Sequence, residues 1–105
     1  MFGNIAQMMD LMKRAGEIKE KIRTYREEAG NNEYTASSGG DMVEVVVTGD
    51  FQVKRVTIAP EALADRELLE DLVRSAMGNA LSMAKTATQE ALKEATGGLD
   101  IADLL

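Results

Sequence analysis

Two helical periodicities of about 30 residues each bracket a short block of strand pattern, and their length most constrains the fold. Over residues 4–29, Met8, Met12, Ala15, Ile18, Ile22, Tyr25 and Ala29 recur at spacings of three and four, one face of a 3.6-residue helix. Residues 60–96, after a short turn at Pro60, carry a second face at Leu68, Leu69, Leu72, Val73, Ala76 and Met77. It continues as a stripe of small residues at Ala76, Ala80, Ala84, Ala87, Ala91 and Ala95, which let another helix or a sheet approach closely. Asp65 suits the N-cap, with Glu67, Glu70 and Asp71 in the first turns, where the helix dipole favours acids. Each helix spans roughly 40 Å at 1.5 Å per residue. A compact chain of 105 residues has a radius of gyration of about 13 Å. The helices must therefore protrude or pack on a second subunit, and a twofold dimer, the commonest closed oligomer, is expected.

Between them, residues 33–58 alternate as strands. Residues 33–38 form a short polar strand, Gly39-Gly40 turns the chain, and residues 42–48 form the best strand, with Val43, Val45 and Val47 on one face. Gly49-Asp50 suits a two-residue hairpin turn into residues 51–58, which would set Glu44 opposite Arg55. Val53 and Val56 break the alternation near Lys54-Arg55, the mark of a bulge. Gly30-Asn31-Asn32 is expected to end the first helix in left-handed backbone, and Gly97-Gly98 to end the second. The reading is one α+β domain over residues 1–96: long helix, three antiparallel strands, long helix. Residues 97–105 are expected to be a flexible tail, acidic and apolar by turns, unless they dock.

Several function classes are excluded. The chain has no Cys and no His, so it has no disulfide, thiol nucleophile, His-based triad or ordinary zinc site. Its apolar runs are no longer than three residues, against roughly 20 for a membrane helix. Met1-Phe2-Gly3-Asn4 lacks a basic region followed by an apolar core, so no signal peptide is expected and the cytoplasm is the expected location. The carboxylates Glu27-Glu28 and Glu70-Asp71 have neither metal-ligand spacing nor a partner base. No catalytic residue, metal, cofactor, small-molecule substrate or membrane partner is expected.

Charge distribution is more informative than the net charge of -6. Lys13, Arg14, Lys19, Lys21, Arg23 and Arg26 crowd into residues 11–26, opposed only by Glu17 and Glu20, a local net of +4. Lys19, Arg23 and Arg26 share a stripe at four-then-three spacing. Such a face suits phosphate contacts; equally it suits a solvated helix exterior laced by Glu17–Lys21 and Arg23–Glu27 pairs. The seven methionines read as core or interface more than as an adaptable groove. The turn Ser37-Ser38-Gly39-Gly40-Asp41 lacks the Lys-Ser/Thr of a P-loop and opens no helix.

Taken in order, four stretches resemble the YbaB/EbfC family of bacterial nucleoid-associated proteins. They are the Met1-Phe2-Gly3-Asn4 opening into Lys13-Arg14-Ala15, the turn from Ser38 to Val45, the hairpin from Val47 through Pro60, and Glu70-Asp71-Leu72-Val73 with the Ala-rich stretch after it. The resemblance implies an intertwined, tweezers-like homodimer with projecting helices, in the cytoplasm on the nucleoid. It implies binding of double-stranded DNA that alters DNA conformation and gene expression. By position it points to the six cations of the first helix and, on the last, to Arg66, Arg74, Lys85 and Lys93. Residues 61–105 nevertheless carry four bases against nine acids. With the methionines and the tail, that balance motivates the alternative of a protein-binding scaffold dimer.

Overall fold

The computed structural model describes residues 2–97, with side chains from residue 4 onward. Helix α1 (Phe2–Ala29) leads into strands β1 (Glu33–Ser38), β2 (Val43–Thr48) and β3 (Val53–Ile58). A 3₁₀ turn, Pro60–Ala64, then precedes helix α2 (Arg66–Ala95). The strands form one antiparallel sheet in the order β1-β2-β3. This is the expected α+β order. Of the expected tail, residues 98–105 lie outside the described residues, as does Met1.

The ends of α2 follow from its sequence. Asp65 caps it, its Oδ1 accepting from the Leu68 amide at 3.1 Å. Gly97, at φ +70°, ends it in left-handed backbone. The end of α1 differs from expectation, because none of Gly30, Asn31 and Asn32 has a positive φ. The amides of Asn31 and Asn32 instead donate to the carbonyls of Glu28 and Ala29 at 2.9 and 3.1 Å, tightening the last turn. The amide of Gly49 then donates to the carbonyls of both Ala29 and Asn32 at 3.0 Å. A Cβ at Gly49 would lie 2.7 Å from the Ala29 oxygen, so only glycine permits this clasp between α1 and the β2–β3 turn.

Alternation on β2 makes the core. Val43, Val45 and Val47 are fully buried against Ala76, Ala80 and Ala84 of α2, with Tyr34, Ala36, Leu69, Leu72, Val73, Met77 and Leu81 packed around them. The alanine stripe works as expected, since small side chains bring the helix axis close to the sheet. At the other end of the sheet, Ser38 Oγ donates to the Leu72 carbonyl at 2.6 Å. Gly39, at φ +62°, has no room for a Cβ, which would meet Leu72 at 2.7 Å. The glycine-rich turn thus serves packing against α2.

The β2–β3 hairpin departs from the expected two-residue turn. Four residues, 49–52, separate the strands, and Phe51 takes φ +64°. The Phe51 amide donates to the Thr48 carbonyl and the Thr48 amide to the Gln52 carbonyl, both at 2.9 Å. The register consequently moves: Glu44 faces Thr57, and Arg55 faces Val46, so the expected Glu44–Arg55 pairing does not form. The expected bulge is present, with the shift between Val46 and Val47 leaving Lys54 as the extra residue. Lys54 ion-pairs instead with Glu33 across the sheet.

Two apolar surfaces remain open. Helix α2 lies over β1 and β2. On β3, Val53, Val56 and Ile58 share that face by register with Val47, Val45 and Val43, yet are 49, 42 and 39% exposed. On α1 the predicted apolar face is covered only near its C-terminus, where Ala29 is buried and Ile18, Ile22 and Tyr25 are half-buried. Tyr25 Oη and Thr88 Oγ1 share a hydrogen bond at 3.1 Å. Ile5, Met8, Met9, Leu11 and Met12 are all exposed, so the N-terminal half of the face has no partner among the described residues. Of the described methionines expected inside, only Met42 and Met77 are half-buried. The molecule measures 74 × 23 × 15 Å with a radius of gyration of 19.9 Å, as a protruding helix requires.

Candidate nucleic-acid interface

The cations of α1 flank its half-buried ridge. On one side Lys19, Arg23 and Arg26, with Ala15, Ile18, Ile22 and Glu27, line an open groove of about 800 Å³ that reaches Thr96 at the end of α2. On the other side Arg14 and Lys21, with Glu17, Ile18, Ala95 and Thr96, line a second, smaller groove. The four-then-three stripe expected from spacing is therefore a physical row, and all six cations of α1 are exposed. From Lys13 to Arg26 they cover roughly 20 Å of helix axis.

Neighbouring acids neutralise part of this charge. Arg14 pairs with Asp10 at 3.2 Å, and Arg23 is held by Glu20 and by Glu27, the latter at 2.6 Å. The Arg23 hydrogen bond and charge hold the Glu20 carboxyl below its usual pKa, and Glu20 raises that of Arg23 in return. The expected Arg23–Glu27 pair is thus present, and the expected Glu17–Lys21 pair is not. Among the described residues Lys13, Lys19, Lys21 and Arg26 make no ion pair, which leaves their charge available to a ligand.

The candidates on α2 are exposed but scattered. Arg66 pairs with Glu70 at 3.0 Å and Arg74 with Asp71 at 3.5 Å. The Glu70-Asp71 doublet and Glu27 therefore act as partners of neighbouring arginines. Among the described residues Lys85 makes no ion pair, and Lys93 sits beside Glu90 and Glu94. The exposed Arg55 was not among the sequence candidates. Opposite Val46 it lies on the sheet face turned away from α2, a placement that depends on the hairpin register. Among the described residues no cluster of His, Cys, Asp or Glu could hold a metal, and no helix is long and apolar enough to cross a membrane.

A long helix carrying most of the unpaired cations, a three-stranded sheet and a second long helix define a class of small proteins with projecting basic arms. The model of the YbaB/EbfC DNA-binding family matches residues 3–99, and the chain belongs to that family. A nucleoid-associated protein of Clostridium kluyveri is 38% identical over 102 residues, covering 95% of this chain and 90% of the relative. One from Nitrobacter hamburgensis is 36% identical over 99 residues, covering 92% and 93%. Among solved structures, the uncharacterized protein HP0035 from Helicobacter pylori matches with a TM-score of 0.66 at 20% identity, covering 86% of this chain and 90% of that one, a likeness of fold.

Proposed function

We propose that this chain is a nucleoid-associated protein that binds double-stranded DNA as a twofold homodimer, chiefly through phosphates, and alters DNA conformation and gene expression. The observation that carries this reading is the set of exposed, unpaired cations Lys13, Lys19, Lys21 and Arg26 on a helix that projects from the sheet. Arg14 adds to it by exchanging its one carboxylate partner for phosphate, Arg23 adds to it where Glu20 and Glu27 release it, and Arg66, Arg74, Lys85 and Lys93 contribute where α2 reaches the duplex. Family membership and the names of the relatives support the same ligand. Among the described residues the unpaired cations Lys13, Lys19, Lys21 and Arg26 are held by no side-chain network that would aim them at a base edge, so binding is expected to discriminate little between sequences.

Binding rests on where the cations lie and not on the net charge, which is negative for one copy and for two. Two copies bring two sets of α1 cations to one duplex, and the uncovered Val53, Val56 and Ile58 supply an apolar surface for their contact. Duplex titration at several salt concentrations tests the reading. Log affinity should fall against log salt with a slope of about 0.9 per phosphate neutralised. A flat response, or no binding at low salt, refutes it.

One observation favours the scaffold reading instead. Ile5, Met8, Met9, Leu11 and Met12 expose an apolar face on the outer half of α1 that phosphate contacts do not use. A protein that ignores duplex DNA at low salt yet keeps a protein partner when that face is intact, and loses it on Met8→Asp with Met12→Asp, would establish this alternative.

A further inference from the structure

The larger groove beside α1 has an apolar floor and a cationic edge. Its floor is Ala15, Ile18 and Ile22, with both isoleucines only half covered, and Lys19, Arg23 and Arg26 stand along it with Glu27 as the one acid. Thr96, the C-cap of α2, forms its far wall. The chain leaves the groove wall there, turned by the left-handed Gly97. Beyond it come Leu99, Asp100, Ile101, Ala102, Asp103, Leu104 and Leu105, four large aliphatic residues among two acids and no base.

We propose that residues 98–105 dock into this groove of the same chain, aliphatic side chains on Ile18 and Ile22 and carboxylates on the row of Lys19, Arg23 and Arg26. Position, polarity and charge agree independently. The described chain reaches the groove wall at Thr96, the apolar content of the segment matches the floor, and its two acids suit a row whose Lys19 and Arg26 make no ion pair among the described residues. Eight residues reach about 26 Å when extended, more than the roughly 18 Å of helix axis between Ala15 and Glu27. A docked segment occupies cations that a phosphate backbone would use, so it competes with DNA for one flank of α1. That consequence rests on the proposed function; the docking itself does not.

Because the chain has no cysteine, paired substitutions report the contact cleanly. Full-length I22C/I101C, oxidised with diamide, should form a disulfide that runs at monomer mass on a denaturing gel. It should form at least tenfold faster than in K13C/I101C, whose first cysteine lies outside both grooves. I18C/L99C repeats the test should the first pair fold poorly. Equal rates in the test and control pairs overturn the proposal, and so does a product at dimer mass, which would place a second copy's segment in the groove. In a full chain carrying D100N and D103N, the DNA salt slope should rise by about 0.9 for each cation released. A monomer-mass cross-link in a protein that binds no duplex would uphold the docking and refute the DNA reading alone.

Discussion

Arg23 offers the sharpest test of how α1 meets a polyanion. Two carboxylates on its own helix, Glu20 and Glu27, hold it from either side, although Lys19 and Arg26 on the same row make no ion pair among the described residues. Replacing both acids by glutamine keeps their size and removes two negative charges beside the row. Arg23 is then free to engage a phosphate. One added contact raises the salt slope by about 0.9, so the ratio of affinities at 50 and 200 mM salt grows about 3.5-fold. Two contacts, one from each copy in a dimer, raise it about 12-fold. Folding should be nearly unaffected, because exposed pairs of this kind contribute little. Acidification is not a substitute for the mutation. The Glu20 pKa is lowered by Arg23, so its stabilising pair is complete above the ordinary carboxylate range and is lost only as pH falls through the lowered value. The assay is fluorescence anisotropy with a duplex at four salt concentrations, beside a thermal melt of the free protein. An unchanged slope with an unchanged melt would show that Arg23 does not touch phosphate.

Other substitutions probe the frame that carries the row. Gly49→Ala puts a Cβ against the Ala29 carbonyl, and chemical denaturation should show a loss of about 1–3 kcal/mol. Gly78→Ala, in the exposed interior of α2 with nothing within 4 Å of the new methyl, should instead add about 1 kcal/mol in the same measurement. Val56→Asp adds a charge to the open apolar strip of β3; against the dimer proposed for the parent chain, sedimentation should show a folded monomer, and an unchanged mass would exclude that strip as the contact.

Periodicity and composition made much of this legible. The two periods of α1 and α2 are readable because each repeats over many turns, and the Asp65 cap and the Lys54 bulge because each has a local chemical cause. The hairpin register was not readable. A Gly-Asp pair advertises a two-residue turn, whereas Phe51 accepts left-handed backbone and the Gly49 clasp to Ala29 fixes a longer one. The covered length of α1 was also hidden, since a repeating apolar face says which side is apolar but not how far along it a partner extends. For the candidate interface, clustering of the cations in residues 11–26 was plain from sequence. Which of them are spent on neighbouring acids was not, because Glu17–Lys21 and Glu27–Arg23 have the same spacing and only the second pair forms.

The alanine stripe of α2 carries a consequence for mutational studies. Half of the tightly packed layer between helix and sheet already consists of Ala76, Ala80 and Ala84, so truncation scanning, which replaces side chains by alanine, is blind there. Sensitivity at those three positions runs in the opposite direction. Added bulk would wedge the layer open, and a tolerance map of this molecule should show its most intolerant sites among its smallest residues.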